Sequence, residues 1–463
     1  MIIGVDLGTT RIKSAIFDEN GRILGLSYRD VPLITHSSDE IEQNPDDWII
    51  AVKETIRESI KISKVKNIEA LSFSSQGISF VCVDEKGKNL GNAISWLDTR
   101  AKKEAEEIKE KIEEKNIFKI TGKRINPAYV LPKILWIKKN DKTRFMHTKK
   151  FLMCLDYLNF RFTGNFMTDH TMASGTLMYD IRKMAWSDKI LRTFDIPYNK
   201  LPSISFSSTF IGYIKDEAAK ELGLGRVKVY LGAQDQKCSC FSVGIDENTC
   251  VISLGTAVAI SFLSNSPVID KYMRIPCFPF VKKNTWILEG VISSGCASFD
   301  WLLKVLKEKP TILEKVNFKN SNLYFFPHLA GSTSPHWIPE ARGIMYGINL
   351  DTRKEDIISS LIKGITFEIK ENFEIISKLT KNRPKQTVVI GGGANSNNWL
   401  QLISDVLKTK VISFYRIESA CLGASMFCKK IKPKIRSCVF LPKDDFTPEY
   451  NEYLRYENKF YTF

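Results

Sequence analysis

The sequence predicts an α/β protein built from two related lobes that face a cleft. Three observations carry this expectation. First, "IIGVDLGTTRIKSAIF" near the start and "CVISLGTAVAISFL" from Cys250 share one design: apolar strand, Leu-Gly-Thr turn, apolar strand. Second, each unit is followed by segments with apolar residues at helical spacing, notably "NPDDWIIAVKETIRESIKIS" and "EDIISSLIKGITFEIKENFEIISKL". Third, 463 residues that are 43% hydrophobic and 26% charged, with 28 Phe and 8 Trp, can bury a large core. Such a length suits two or three domains. The boundary is expected near Gly244, giving an N-terminal lobe over 1–244 and a C-terminal lobe over 245–463.

Taken in order, "IIGVDLG", "IKSAIFD" and "RILGLSY" read as three strands whose turns carry Gly or Asn-Gly. "NPDDWIIAVKETIRESIKIS" places Pro and acids in its first turn and reads as an amphipathic helix. "IEALSFSS" is a short apolar strand, and "GISFVCVDEKGKNL" reads as a hairpin turned at Gly. Residues 99–149 have a helical and highly charged pattern. A second start comes near residue 229, where the strand "VKVYLG" runs into the polar turn "AQDQ". "SSGCASFDWLLKVLKEK" has helical spacing, and "QTVVIGGGANSNNWLQLISDVL" reads as buried strand, glycine run and helix.

Bulk properties exclude several classes. The N-terminus has no basic segment followed by an apolar run and a cleavage site, and no apolar run approaches the roughly 20 residues of a membrane span. Both point to the cytoplasm and away from a membrane partner. Ten cysteines are scattered without a CxxC pair, so reduced, buried thiols are expected rather than a metal knuckle or disulfides. The net charge of +15 comes from Lys interleaved with Glu, as in "RAKKEAEEIKEKIEEKNIFK". That pattern is a solvated helix face with opposite charges at i,i+4, not a nucleic-acid groove.

The residues at the turns carry chemistry. A Gly-Thr turn between two strands offers backbone N–H groups and hydroxyls with little bulk, which is what phosphate oxygens need. Gly8 lets the backbone come close, Thr9 and Thr10 can donate, and Lys13 adds positive charge. Asp6 has the wrong sign for phosphate and suits Mg²⁺. Leu254-Gly255-Thr256 offers Thr256 to the same polyphosphate from the other lobe. "IGGGANSN" (390–397) is not GxGxxG, which disfavours a Rossmann dinucleotide site; with both Gly-Thr turns it reads as a nucleotide pocket. Asp235 in "GAQDQ" ends an apolar strand, where clefts of α/β proteins meet their ligands. It can take the proton of a phosphoryl acceptor, or cap a following helix.

Together these motifs resemble the FGGY carbohydrate kinases of the actin-like, ribonuclease H-like ATPase superfamily, over essentially the whole chain. Asp6-Leu7-Gly8-Thr9-Thr10 looks like the family's first phosphate loop, and Leu254-Gly255-Thr256 like its second. "EQNPDDW" (42–48), "WLDTRA" (96–101) and "DYLNFRFTG" (156–164) are similar to its Glu-x-x-Pro-x-x-Trp, Trp-x-Asp-x-Arg and Asp-Tyr…Thr-Gly segments. "FFPHLAGSTSPHWIPEARGIMYGI" from Phe325 looks like its Phe-Pro…Ala-Arg-Gly signature. "GGGANSNNWLQLISDVL" resembles its adenosine motif, and "ESACLGAS" (418–425) its late helix. The resemblance implies two ribonuclease H-like lobes with an interlobe cleft, ATP and Mg²⁺ as cofactors, and Asp235 as the catalytic base. It implies that Gly295, Gly392, Gly393, Ala394 and Asn397 approach ATP, and that Gln76, Asp98, Arg100 and Gln236, beside Asp235, face the sugar.

The expected activity is ATP-dependent phosphorylation of a small sugar or polyol, in the class of xylulose-like pentuloses. Glycerol, gluconate and other polyols are the alternative substrates, and a homodimer is the expected assembly. Outside enzymes, the alternatives are an ATPase switch, for which the chain leaves no room after its last nucleotide motif, and a nucleic-acid binder, which rests on charge alone. Three departures from the family's patterns bear on substrate and phosphate pocket. Gln76-Gly77-Ile78-Ser79 stands where xylulose kinases carry Gln-Met-His-Gly and glycerol kinases an Arg-Glu pair. Gly331-Ser332-Thr333 replaces Gly-Glu-Arg, and Cys296 replaces a common second glycine. The first departure removes hydrogen-bonding side chains, so glycerol is expected to be a poor substrate and D-xylulose a second-best one.

Overall fold

A computed structural model describes residues 1–319, 322–415, 417–431 and 433–461. The opening apolar run forms β1 (Ile2–Leu7), whose side chains are buried except for partly exposed Asp6. The Gly-Thr turn reverses the chain into β2 (Arg11–Phe17), and a second turn leads to β3 (Ile23–Asp30). Both pairings are antiparallel. Helix α1 (Pro45–Ser63) follows, its N-terminus capped by the Asn44 side chain, which accepts from the Asp46 N–H. It lies so close on β3 that a Cβ at Gly25 would sit 2.2 Å from the Ser59 carbonyl oxygen. β4 (Ala70–Ser75) runs parallel to β1, β5 (Phe210–Tyr213) sits at the edge, and β6 (Lys228–Gln234) runs parallel to β4. The sheet order is β5-β6-β4-β1-β2-β3.

After helix α2 (Asp235–Ser242) the design repeats. β7 (Thr249–Leu254), β8 (Val258–Ser264) and, after the edge strand β9 (Cys277–Pro279), β10 (Trp286–Ile292) make the second antiparallel meander. α3 (Gly295–Leu306) and the long α4 (Lys354–Thr380) pack beside it. β11 (Gln386–Ile390) then pairs parallel to β7 and leads into α5 (Asn397–Leu407). β12 (Lys410–Phe414) pairs parallel to β11 and is followed by α6 (Ser419–Cys428). β13 (Ser437–Phe440) closes the edge and α7 (Thr447–Phe460) ends the chain's described helices. The order β10-β8-β7-β11-β12 matches β3-β2-β1-β4-β6 strand for strand, with the same directions. The duplicated turn of the sequence is thus the visible tip of a duplicated ribonuclease H-like sheet.

The helices that follow the last core strand of each sheet cross between the lobes. α2 leaves the first sheet, yet its Cys238 and Cys240 are buried with Val251, Val388 and Ile390 of the second. α6 leaves the second sheet and packs on β1, where a Cβ at Gly4 would sit 1.9 Å from the Cys421 carbonyl oxygen. The two helices touch at Gly423, whose Cβ would fall 2.1 Å from the Cys238 carbonyl oxygen.

The expected hairpin at 77–90 closes around Gly87, with Asp84 N–H on the Lys88 carbonyl at 2.9 Å, Leu90 N–H on the Cys82 carbonyl at 2.8 Å and Val83 bridged antiparallel to Asn89. Its Phe80–Val83 strand has a second partner. It pairs with Lys150–Met153, because that strand buries Phe151 and Leu152 against it. The helical pattern of residues 99–149 folds as four helices, Lys102–Lys111, Glu114–Thr121, Val130–Asn140 and Lys142–His147. All ten cysteines are unpaired thiols. Among the described residues no helix is long and apolar enough to cross a membrane.

The crossing predicts a stability difference between two glycines. Gly423→Ala drives a methyl into backbone and is expected to cost about 1–3 kcal/mol. Gly225, where a Cβ would meet nothing within 4 Å, is expected to accept Ala within about 1 kcal/mol of neutral. Thermal and denaturant unfolding of both variants checks this, and equal midpoints would remove the close crossing as a constraint.

Candidate active site

Two cavities open between and beside the duplicated turns. The first, of about 320 Å³, is lined from the first lobe by Thr9, Gln76, Trp96, Thr171, Gln234, Asp235 and Gln236. Ser253, Phe278, Glu289 and Val291 line it from the second. The second cavity, of about 550 Å³, lies in the C-terminal lobe between Gly255-Thr256, the start of α3 and the Gly392-Gly393 turn.

Asp235 reaches the first cavity because β6 ends there and α2 begins. It is the first residue of α2, and Gln234 rather than Asp235 occupies the cap position. Its Oδ1 accepts the Gln236 N–H at 2.6 Å. Burial, and then the charge of Asp6, push its carboxyl up to about 7 despite that hydrogen bond. Asp6, at the end of β1, is likewise raised by burial, against an opposing 2.9 Å hydrogen bond from the Ser74 hydroxyl to its Oδ1. Glu289 faces the cavity from β10, but its charge is met by buried Lys237, with Nζ 2.9 Å from Oε2.

The polar groups beside Asp235 are not all satisfied within the protein. Oε1 of Gln234 and Nε2 of Gln236 are buried without a hydrogen-bond partner. A buried acceptor and a buried donor flanking one carboxyl are costly unless a ligand completes them. The Gln234 backbone is fixed by its N–H to Thr171 Oγ1 at 2.9 Å, and that hydroxyl donates to Asp169 at 2.9 Å. Its side chain lies over Gly77, where an added Cβ would be 3.0 Å from Nε2. The amide therefore occupies the space that Gly77 leaves open, so the wall keeps a polar group that the sequence at 77–78 alone suggested was lost. Ile78 holds a positive φ of 52°, a strained conformation for a β-branched residue, and presents an apolar face to the cavity.

The other expected residues divide into three groups. Thr9, Gln76, Asp235 and Gln236 line the first cavity, and Thr256, Gly392 and Gly393 the second. Gln76 spends its amide internally, donating to Gln43 Oε1 at 2.9 Å and accepting from the Ser79 hydroxyl at 3.2 Å. Gly8, Thr10, Lys13, Gly295, Ala394 and Asn397 line neither cavity. Lys13 pairs with Glu418 at 2.7 Å. Gly295 lets α3 approach β8, since a Cβ there would lie 2.3 Å from Val258 Cγ2. The N–H groups of Cys296 and Ala297 bind the carbonyls of Gly255 and Thr256, which pins the second turn to the helix start. Burial pushes the Cys296 thiol up to about 12, so it stands in the second cavity as a neutral group.

Neither Asp98 nor Arg100 lines the first cavity. Asp98 is fully buried and its carboxylate accepts from Ile41 N, Arg100 N and Arg100 Nε. Arg100 is spent between Asp98 and Glu42, each 2.8 Å away. The pair fastens the 96–101 segment to the 41–44 segment, and this positions Trp96. That indole lines the cavity and donates to Thr9 Oγ1 at 2.9 Å. Sequence reasoning passed over Trp96 and Gln234; the first lay inside a quoted motif and the second stood next to Asp235.

Comparison with known proteins completes the picture. The model of the FGGY family of carbohydrate kinases, N-terminal domain, matches residues 1–242, and that of the C-terminal domain matches 250–429. The chain is 30% identical over 436 residues to a xylulose kinase of Bacillus subtilis (strain 168), covering 92% of this chain and 87% of that protein. A gluconokinase of the same organism is 27% identical, covering 91% and 86%. The crystal structure of a ligand-bound xylulose kinase from Lactobacillus acidophilus superposes with a TM-score of 0.90 at 28% identity, covering 98% of this chain and 95% of that one.

The coupling of the two aspartates is directly measurable. In Asp6→Asn the Asp235 carboxyl is expected to titrate below the value of about 7 that it has in the native protein, because one of its raising influences is gone. Carboxyl-carbon NMR of the unliganded protein reads this, and an unmoved titration would mean that burial alone sets it.

Proposed function

Because the chain belongs to the FGGY family of carbohydrate kinases and is a sugar kinase, we propose that it phosphorylates a neutral ketose or polyol of five or six carbons with ATP, and that Asp235 is the general base. The observation that carries the substrate class is the lining of the first cavity. It contains two acids, Asp235 and Glu289, two unsatisfied amide groups, and no Lys, Arg or His. Two lysines lie behind Phe278: Lys237 is committed to Glu289, and Lys123 donates to the carbonyls of Thr121 and Cys277. An aldonic acid such as gluconate would bring a carboxylate toward like charge with no free partner, whereas neutral hydroxyls suit the amides.

The second cavity fits a nucleotide. A Cβ on Gly392 would meet nothing within 4 Å, so bare backbone faces the space there, as a phosphate or flat ring requires. Thr256, Gly392 and Gly393 would hold ATP, with Gly295, Ala394 and Asn397 shaping the wall and Gly8, Thr9, Thr10 and Lys13 reaching in from the first lobe. Asp6 fits Mg²⁺, since its buried carboxylate has only a hydroxyl donor and the neighbouring Lys13 against its charge. When bound, ATP supplies the phosphoryl group and Mg²⁺ offsets the charge on it. We take the lobes as 1–244 and 245–463, a division supported by the repeated strand order.

In this reading Asp235 accepts the proton of the acceptor hydroxyl, and its raised carboxyl makes it a competent base near neutral pH. Gln234 Oε1 and Gln236 Nε2 orient the hydroxyls on either side. Trp96, Met172 and Phe278 exclude water from the acceptor, which suppresses wasteful hydrolysis.

Two outcomes are expected. Asp235→Asn should lower kcat at least ~10²-fold. The native kcat/KM should rise about tenfold per pH unit up to about 7 and then level, since the base works only when deprotonated. Near-normal turnover of the variant would remove Asp235 from the mechanism. In a coupled ADP-release panel, a neutral ketose or polyol should exceed D-gluconate by about tenfold or more in kcat/KM, with glycerol low and D-xylulose not first. Gln234→Leu should cost the preferred sugar about tenfold, the scale of one unpaired hydroxyl, while the KM for ATP stays put. Gluconate ranking first would overturn the neutral-substrate reading. D-xylulose leading by tenfold would overturn its second place.

A further inference from the structure

Five titratable side chains outside both cavities converge inside the second lobe. His328 and His336 lie on the segment between the short strands Tyr324–Phe326 and Ile344–Tyr346. Glu368 and Glu371 stand on one face of α4, three residues apart, and Glu457 comes from α7. Glu457 turns one oxygen to each histidine: Oε1 is 3.4 Å from His328 Nε2 and Oε2 is 4.0 Å from His336 Nε2. Glu371 Oε2 is 3.1 Å from His336 Nε2, and Glu368 Oε1 is 3.1 Å from His328 Nδ1. His328, Glu368 and Glu457 are 2%, 4% and 1% exposed. Their Nε2, Oε1 and Oε1 atoms nonetheless make no hydrogen bond. Among the described residues no Lys or Arg pairs with any of the three glutamates. A buried carboxylate must take up a proton or find a positive partner, and a metal is one group that satisfies acids and imidazoles together.

We propose that this cluster binds a divalent transition-metal ion of the zinc or manganese class through His336 Nε2, Glu371 Oε2 and Glu457 Oε2, and that the ion fastens α7 to α4 and to the 327–343 segment. The three ligand atoms lie within 4.8 Å of one another. Two ligands each about 2.1 Å from one ion can stand up to ~4.2 Å apart, so side-chain shifts under about 1 Å complete the site. The His336 and Glu371 side chains are 13% and 17% exposed, which leaves an entry path and room for water as a further ligand. His328 sits behind the site, 3.4 Å from the other Glu457 oxygen and 3.1 Å from Glu368. Imidazole nitrogen beside carboxylate selects zinc, manganese or iron over magnesium and calcium. The site is independent of the sugar reading, because neither cavity includes any of these residues.

The test uses the untagged full chain, purified without a metal column and dialysed against metal-free buffer. Elemental analysis is expected to find about one equivalent of zinc, manganese or iron. After stripping with a chelator, added ZnCl₂ or MnCl₂ should raise Tm by roughly 5 °C at saturating metal, and MgCl₂ at the same concentration should not. Glu371→Gln, at a partly exposed position that tolerates the swap, should lose both the bound metal and the rise. A folded native chain with no stoichiometric metal and no rise with zinc or manganese would overturn the proposal, as would an undiminished rise in Glu371→Gln.

Discussion

The crossing of α2 and α6 is the constraint on which the rest of the molecule depends. Each helix starts at the carboxyl end of a central parallel strand and is buried on the opposite lobe's sheet. Gly423 lets the two backbones meet, and Gly4 lets α6 lie on β1. The same elements deliver the chemistry. The first residue of α2 is Asp235, and Glu418, immediately before α6, holds Lys13 near Asp6. Moving one lobe against the other therefore moves Asp235 relative to the strand end that carries Asp6.

The acidity of Asp235 is a contest that magnitudes decide. A helix start favours the ionised form by up to about 1 kcal/mol, under one pH unit, and the Gln236 N–H works in the same direction. A carboxyl at about 7 stands well above the ordinary carboxylate range, so burial and the nearby Asp6 outweigh both. Ion pairing elsewhere follows a different logic. The Asp98–Arg100–Glu42 network is closed on itself and fastens the segment that carries Trp96 to residues 41–44.

Much of the site was legible in the sequence because it lies at strand ends, where a few adjacent residues fix both turn and chemistry. The two Gly-Thr turns, Asp235 and the glycine run at 391–393 are of this kind. The partners of Asp98 and Arg100 were not legible, because a motif shows residue types but not which groups they pair with. Glu42 stands 56 and 58 positions earlier in the chain, and only the folded sheet brings it to them. Gln234 escaped notice because its importance depends on the empty space over Gly77.

The sequence by itself determined the duplicated meander, the helical segments between its strands, the family and the place of Asp235 at a strand end, because period, turn chemistry and motif order are local properties. Tertiary structure alone decided that the crossed helices exchange lobes, that the sugar-side wall carries two unsatisfied amides and no free cation, and that two histidines and three glutamates from distant segments converge. Those outcomes depend on which surfaces the packed sheets bury together, and burial sets whether an acid, an amide or an imidazole keeps its charge, its partner or a vacancy for a ligand.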